Sequence, residues 1–109
     1  PTDDGRITPE HIEKALYRYP DVKSIFLVNP NNPTGQVFNR DELKKIAYLA
    51  NKHDLLVIMD EVFHKLVHDP DTSFVSLASI EVDGKLMFER TVTLRSVSKD
   101  HGLAAIRSG

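Results

Sequence analysis

The stretch SIFLVNPNNPTGQVFNRDELKKIAYLANKHDLLVIMDE, residues 24–61, decides the fold. It opens on Ser24 to Val28, a short and almost wholly apolar run rich in strand formers, which is the pattern of a strand covered on both faces. Asn29-Pro30-Asn31-Asn32-Pro33-Thr34-Gly35 stops that strand. Two prolines and a glycine fit neither a helix nor an interior strand, so this is a constrained turn. Asn39 with Glu42 three residues later makes a capping-box-like helix start, and Leu43, Ile46, Ala47 and Ala50 then fall on one helical face. Lys52 and His53 put positive or potentially positive side chains at the negative helix end. A second apolar run, Leu55 to Met59, reads as another buried strand. Alternation of buried strands with amphipathic helices predicts an α/β fold, a mainly parallel sheet with flanking helices and right-handed crossovers.

Upstream, Thr8-Pro9-Glu10 places a hydroxyl at a helix N-cap, proline at the first helical position and an acid near the positive end. Ile12, Ala15, Leu16 and Tyr19 continue it as one apolar face until Pro20 ends it. Downstream, Val62 to Ile80 is mixed, with Asp69-Pro70-Asp71 as a turn and a short helix at Phe74 to Ser79. Asp83-Gly84 is a turn signal, Thr91 to Leu94 reads as a third strand, and Gly102 to Ile106 opens another helix.

Composition narrows the function classes. The 109 residues carry 14 Lys plus Arg against 16 Asp plus Glu, a formal charge of -2, and show no basic stripe, which argues against nucleic acid or an anionic membrane as the partner. No apolar run exceeds the length of Leu55 to Met59, far below the roughly 18 residues of a membrane-spanning helix, and no signal-peptide pattern is present. A cytoplasmic protein with a small-molecule partner is the expectation. Absence of cysteine excludes disulfide scaffolds, thiolate zinc sites and cysteine nucleophiles from these residues. The chain begins at Pro1 with no initiator Met and stops at Gly109, directly after its richest chemical segment, so a piece of a longer protein is expected.

The polar clusters follow the strands: Asn29 to Thr34 after the first, Asp60-Glu61 after the second, Arg95 to Lys99 after the third. In an open parallel sheet the carboxyl ends of the strands line the ligand crevice, so the three clusters are expected to converge. Asp60 would sit at the mouth of a low-dielectric layer and seek a cationic or N–H partner; a helix cap or a structural salt bridge would serve it equally. Lys99 lies in Ser96-Val97-Ser98-Lys99. As a nucleophile it needs desolvation or neighbouring cations such as Arg95 and Arg107, and otherwise it is a surface cation. The Ser-x-x-Lys spacing also occurs in penicillin-binding enzymes, whose accompanying elements are absent here. His64, His68 and Glu61 have spacings suited to metal ligands on one helix face, but Pro70 follows closely and no further ligand is identified, so no metal is expected.

Taken in order, Asn29-Pro30-Asn31-Asn32-Pro33-Thr34-Gly35, Asp60-Glu61-Val62-Phe63, and Ser96-Val97-Ser98-Lys99-Asp100-His101-Gly102-Leu103-Ala104-Ala105-Ile106-Arg107 resemble the class I/II, fold-type I pyridoxal-phosphate-dependent aminotransferases. The resemblance covers residues 1–109, which would form an incomplete central segment of the large cofactor domain. It implies an enzyme that transfers an amino group from an amino acid to a 2-oxo acid with pyridoxal 5'-phosphate, homodimeric at full length, the fragment alone being inactive. By this resemblance Lys99 would form the Schiff base with the cofactor and then move protons on the substrate. Asp60 would pair with the pyridine nitrogen, Asn32 would hydrogen-bond the phenolic oxygen, and Ser96, Ser98 and Arg107 would hold the phosphate, Arg107 as a bidentate partner. Typical members carry Tyr at the position of Phe63, whose hydroxyl also bonds the phenolic oxygen. Phe63 cannot do so, which leaves room for decarboxylases or oxidases on the same scaffold. An aminotransferase-like effector-sensing domain of a transcription regulator is the third implication.

Overall fold

The computed structural model describes residues 5–66 and 71–96. Helix α1 spans Pro9–Arg18. Its start is closed by Thr8, whose backbone N–H donates to His11 Nδ1 at 3.1 Å while its carbonyl accepts from the His11 and Ile12 amides. Glu10 lies in the first turn, its carboxyl lowered from 4.5 to about 2 by its own backbone N–H, with Lys45 Nζ 3.1 Å away and Thr8 adding to the effect. Strand β1 is Ser24–Val28 and helix α2 is Arg40–Lys52. At the start of α2, Asn39 Oδ1 accepts the Glu42 amide at 2.9 Å and Glu42 Oε2 accepts the Asn39 amide at 2.9 Å, the reciprocal pair expected from the sequence.

Strand β2 is Leu56–Asp60, one residue later than expected. The cause is the closure of α2: Asp54 takes φ 51°, and the Leu55 amide turns back to Ala50 O at 2.8 Å, so Leu55 belongs to the helix terminus. Arg90 Nη1 braces that terminus by donating to Ala50 O and Leu55 O at 3.3 and 3.2 Å. Beyond β2 the expected helix at Phe74 to Ser79 is reduced to a 3-10 turn at Leu77–Ser79. A two-residue hairpin follows, β3 Glu81–Val82 paired antiparallel with β4 Lys85–Leu86. Asp83 and Gly84 supply the two positive φ angles of 52° and 76° that such a turn requires. Strand β5 is Thr91–Leu94, as expected. The turn expected at Asp69-Pro70 and the helix at Gly102 to Ile106 lie outside the described residues.

The main sheet runs β1-β2-β5, both pairs parallel, with Ile25, Val57 and Thr91 in one row and Val28, Asp60 and Leu94 in another. Alternation along the strands sends Leu27, Val57 and Met59 to one face, where they are buried with Ile12 and Leu16 of α1 and Leu43, Ile46, Ala47 and Ala50 of α2. Leu77, Ile80 and Met87 complete this core. The opposite face is open among the described residues: Phe26 is 58% exposed, Leu56 44%, Val92 45% and Leu94 43%. The apolar runs thus announced a sheet covered on both faces, and the described chain covers one. No helix among the described residues is long and apolar enough to cross a membrane.

Candidate active site at the carboxyl edge of the sheet

Three adjacent parallel strands end level with one another, and two backbone hydrogen bonds carry the pairing one residue further. The Asn29 amide donates to Asp60 O at 2.9 Å, and the Glu61 amide donates to Leu94 O at 2.9 Å. The loops carrying Asn32, Phe63 and Ser96 therefore leave from the same edge, with Asp60 at the end of the central strand.

Asp60 is half-buried. Its Oδ1 accepts the Val62 amide at 3.0 Å, which fixes the carboxylate plane, while Oδ2 receives no hydrogen bond from the described residues. A carboxylate oriented in this way at the mouth of an apolar layer offers one oxygen to a cationic or N–H group from outside.

The loop after β1 is held at several points. Asn29 is fully buried, and its Oδ1 accepts the Phe38 amide at 3.0 Å, joining the two ends of the loop, while its Nδ2 is buried with no partner among the described residues. Inside the loop the Gly35 amide donates to Asn31 O at 2.9 Å, Thr34 Oγ1 donates to Asn31 Oδ1 at 2.8 Å, and Gly35 takes φ 70°. The Asn29-Pro30 and Asn32-Pro33 peptide bonds are cis. Gln36 ties the loop to the chain before α1, donating to Ile7 O at 2.7 Å and accepting the Ile7 amide at 3.1 Å. Asn32 is exposed on this braced turn. Phe63 is half-buried in the turn directly after Asp60, and Ser96 is half-buried two residues beyond β5. Ser98, Lys99 and Arg107 lie outside the described residues.

Glu61 behaves unlike its neighbour. It is fully buried, its Oε1 accepts Ser76 Oγ at 2.6 Å, and its Oε2 accepts Arg95 Nε and Nη2 at 3.2 and 2.9 Å. Arg95, a possible neighbouring cation for Lys99 in the sequence, is engaged by Glu61, and Lys99 itself lies outside the described residues. This engagement also leaves Glu61 with no oxygen to spare for the metal-ligand spacing with His64, whose Nδ1 lies 2.9 Å from Glu61 O. His68 lies outside the described residues, among which no group of three or more His, Cys, Asp or Glu side chains could hold a metal ion. Sequence reasoning took Asp60-Glu61 as a single polar cluster and missed the separate parts of Glu61, Ser76 and Asn29. Period-2 alternation was the available signal, since adjacent strand-end residues point to opposite faces.

The arrangement has counterparts among known proteins. The profile of the family described as aminotransferase class I and II matches residues 1–109. Aromatic-amino-acid aminotransferase 2 of Thermococcus litoralis is 38% identical over 104 residues, 95% of this chain and 25% of that protein. Among solved structures, the aromatic aminotransferase of Pyrococcus horikoshii OT3 superposes with a TM-score of 0.82 at 33% identity, over 96% of this chain and 26% of its own. A PLP-bound protein of Clostridium difficile 630 superposes with a TM-score of 0.78 at 31% identity, over 94% of this chain and 24% of its own. The chain thus spans about a quarter of the length of the curated relatives it matches.

Proposed function

The chain belongs to the class I and II aminotransferase family, and from that premise we propose that it is the central segment of the large cofactor domain of a pyridoxal-phosphate enzyme that moves an amino group from an amino acid to a 2-oxo acid. The observation that carries this reading is Asp60: a carboxylate at the end of the central parallel strand, oriented through one oxygen and with no partner for the other among the described residues. That free acceptor fits a protonated ring nitrogen. When bound, pyridoxal phosphate supplies an electron sink for the pair left at the substrate's α-carbon.

The chain's own residues divide the remaining work. Asp60 would pair with the ring nitrogen and keep its proton in place. Lys99 would hold the cofactor through Nζ and would carry protons to and from the substrate. Asn32 would donate to the phenolic oxygen from its braced turn. Ser96, Ser98 and Arg107 would hold the phosphate, Arg107 through its two-pronged guanidinium. Following the family, we read the full-length protein as a cytoplasmic homodimer.

A specific residue favours a second reading. Phe63 brings no hydroxyl to the phenolic oxygen, and decarboxylation or oxidation of an amino acid on the same framework is the alternative it supports. One experiment separates the readings: absorbance spectra of the full-length protein with pyridoxal phosphate, with and without amino acids, for the wild type and Lys99→Ala. Amino-group transfer requires a visible band that depends on Lys99 and the appearance of keto acid. A Lys99-dependent band with carbon dioxide release or oxygen consumption instead selects the second reading, and no Lys99-dependent band refutes both.

A further inference from the structure

We propose that Glu61, Arg95 and Ser76 form a positioning clamp behind the cofactor site, which ties the end of β5 to the end of β2 and thereby sets where the phosphate-side segment stands relative to Asp60. The inference rests on the cofactor reading above.

Beyond the registered pair of Asp60 and Leu94, the Glu61 amide donates to Leu94 O at 2.9 Å. Side chains add a connection between the same strand ends, through Arg95 Nε and Nη2 on Glu61 Oε2 at 3.2 and 2.9 Å. Glu61 is fully buried, so its carboxylate stays there only if compensated. Ser76 Oγ, at 2.6 Å from Oε1, completes the compensation from a third segment. Arg95 is 52% exposed on its side chain, so the pair costs less desolvation than one buried at both ends. Its planar guanidinium gives the contact a direction, which a lysine ammonium would not.

The chain positions turn this contact into a positioning device. Arg95 directly precedes Ser96 and stands four residues before Lys99. Alternation places Glu61 and Arg95 on the face opposite to Asp60 and Ser96, so the clamp closes behind the site and occupies none of it. A supporting contact of this kind orients groups that touch the ligand without touching it itself.

The test uses the full-length protein with its cofactor. Cofactor dissociation and the pH midpoint of the visible band are measured for Arg95→Met, Arg95→Lys and Ser76→Ala, beside the thermal midpoint of each apo-protein. Arg95→Met is expected to weaken cofactor binding by about tenfold, the low end of what losing a supporting partner does at metal centres, and to displace the pH midpoint. Arg95→Lys is expected to restore part of both, and Ser76→Ala to move both less in the same direction. Should Arg95→Met fail to fold, Ser76→Ala and Arg95→Lys decide through the same two readouts. Variants that lower only the thermal midpoint, with cofactor affinity and pH midpoint at wild-type values, overturn the clamp and leave the cofactor reading standing. A wild-type protein with no Lys99-dependent band overturns the cofactor reading and the clamp with it.

Discussion

Asp60 and Glu61 are chemically alike, adjacent in the chain, and turned to opposite faces of the sheet by one half-period of a strand. Among the described residues Asp60 keeps an uncommitted oxygen at the sheet edge, whereas Glu61 is buried and engaged at both oxygens. The same reasoning gives Phe63 its consequence. A hydroxyl at that position would donate to the ionised phenolic oxygen and favour the unprotonated form of the bound cofactor, so Phe63→Tyr is expected to lower the pH midpoint of the visible band. A midpoint unchanged by Phe63→Tyr would refute this role. Asp60 was legible because it directly follows an apolar strand run. Glu61 was not, since its partners Ser76 and Arg95 lie 15 and 34 residues away in sequence and only the folded chain brings them to it.

Local chemistry made the helices and turns readable. Thr8, Asn39 with Glu42, and Asp83-Gly84 each act within three or four residues of themselves; Asn39 with Glu42 and Asp83-Gly84 do what their sequence context announced, while Thr8 stands at the N-cap but closes the helix through its backbone. The one-residue shift of β2 has the same local origin. Asp54 takes a left-handed conformation usually given to glycine, and closing the helix there consumes Leu55. The segment between β2 and the Asp83-Gly84 turn was the least readable: Leu77 and Ile80 have helical spacing, yet only a 3-10 turn forms there and both side chains are buried by tertiary contact with the core. The cap of α2 provides a quantitative check. Asn39→Ala removes the acceptor of the Glu42 amide and is expected to cost about 1 kcal/mol, within the range of roughly 0.5–2 found for such caps. Equilibrium urea unfolding of the full-length protein measures it; a change below a few tenths would show that Glu42, which Arg6 also holds at 2.7 Å, keeps the helix start closed without the cap.

The two faces of the sheet have different fates. One face carries the buried cluster from Leu27, Val57 and Met59 to α1 and α2, while the other presents Phe26, Leu56, Val92 and Leu94 along three neighbouring strands. Continuous apolar strand runs are what a sheet covered on both sides requires, so the sequence is written for a cover that the described residues do not contain. Contiguous apolar surface of this kind drives association in water. The 109-residue chain expressed alone is therefore expected to bind a hydrophobic dye and to self-associate, and Phe26→Lys with Val92→Lys is expected to reduce both. Each position is about half exposed in the chain itself, so these substitutions should leave its own unfolding free energy nearly unchanged. In the full-length protein the sign reverses: with the face covered, Phe26→Lys alone should cost at least the roughly 1.5–3 kcal/mol of one buried apolar side chain. Comparing sedimentation of the short chain with urea unfolding of the long one decides the matter. A monomeric, dye-silent short chain together with a full-length protein indifferent to Phe26→Lys would show that this face is a solvent surface, and that its apolar strands serve only to hold Asp60 at the sheet edge.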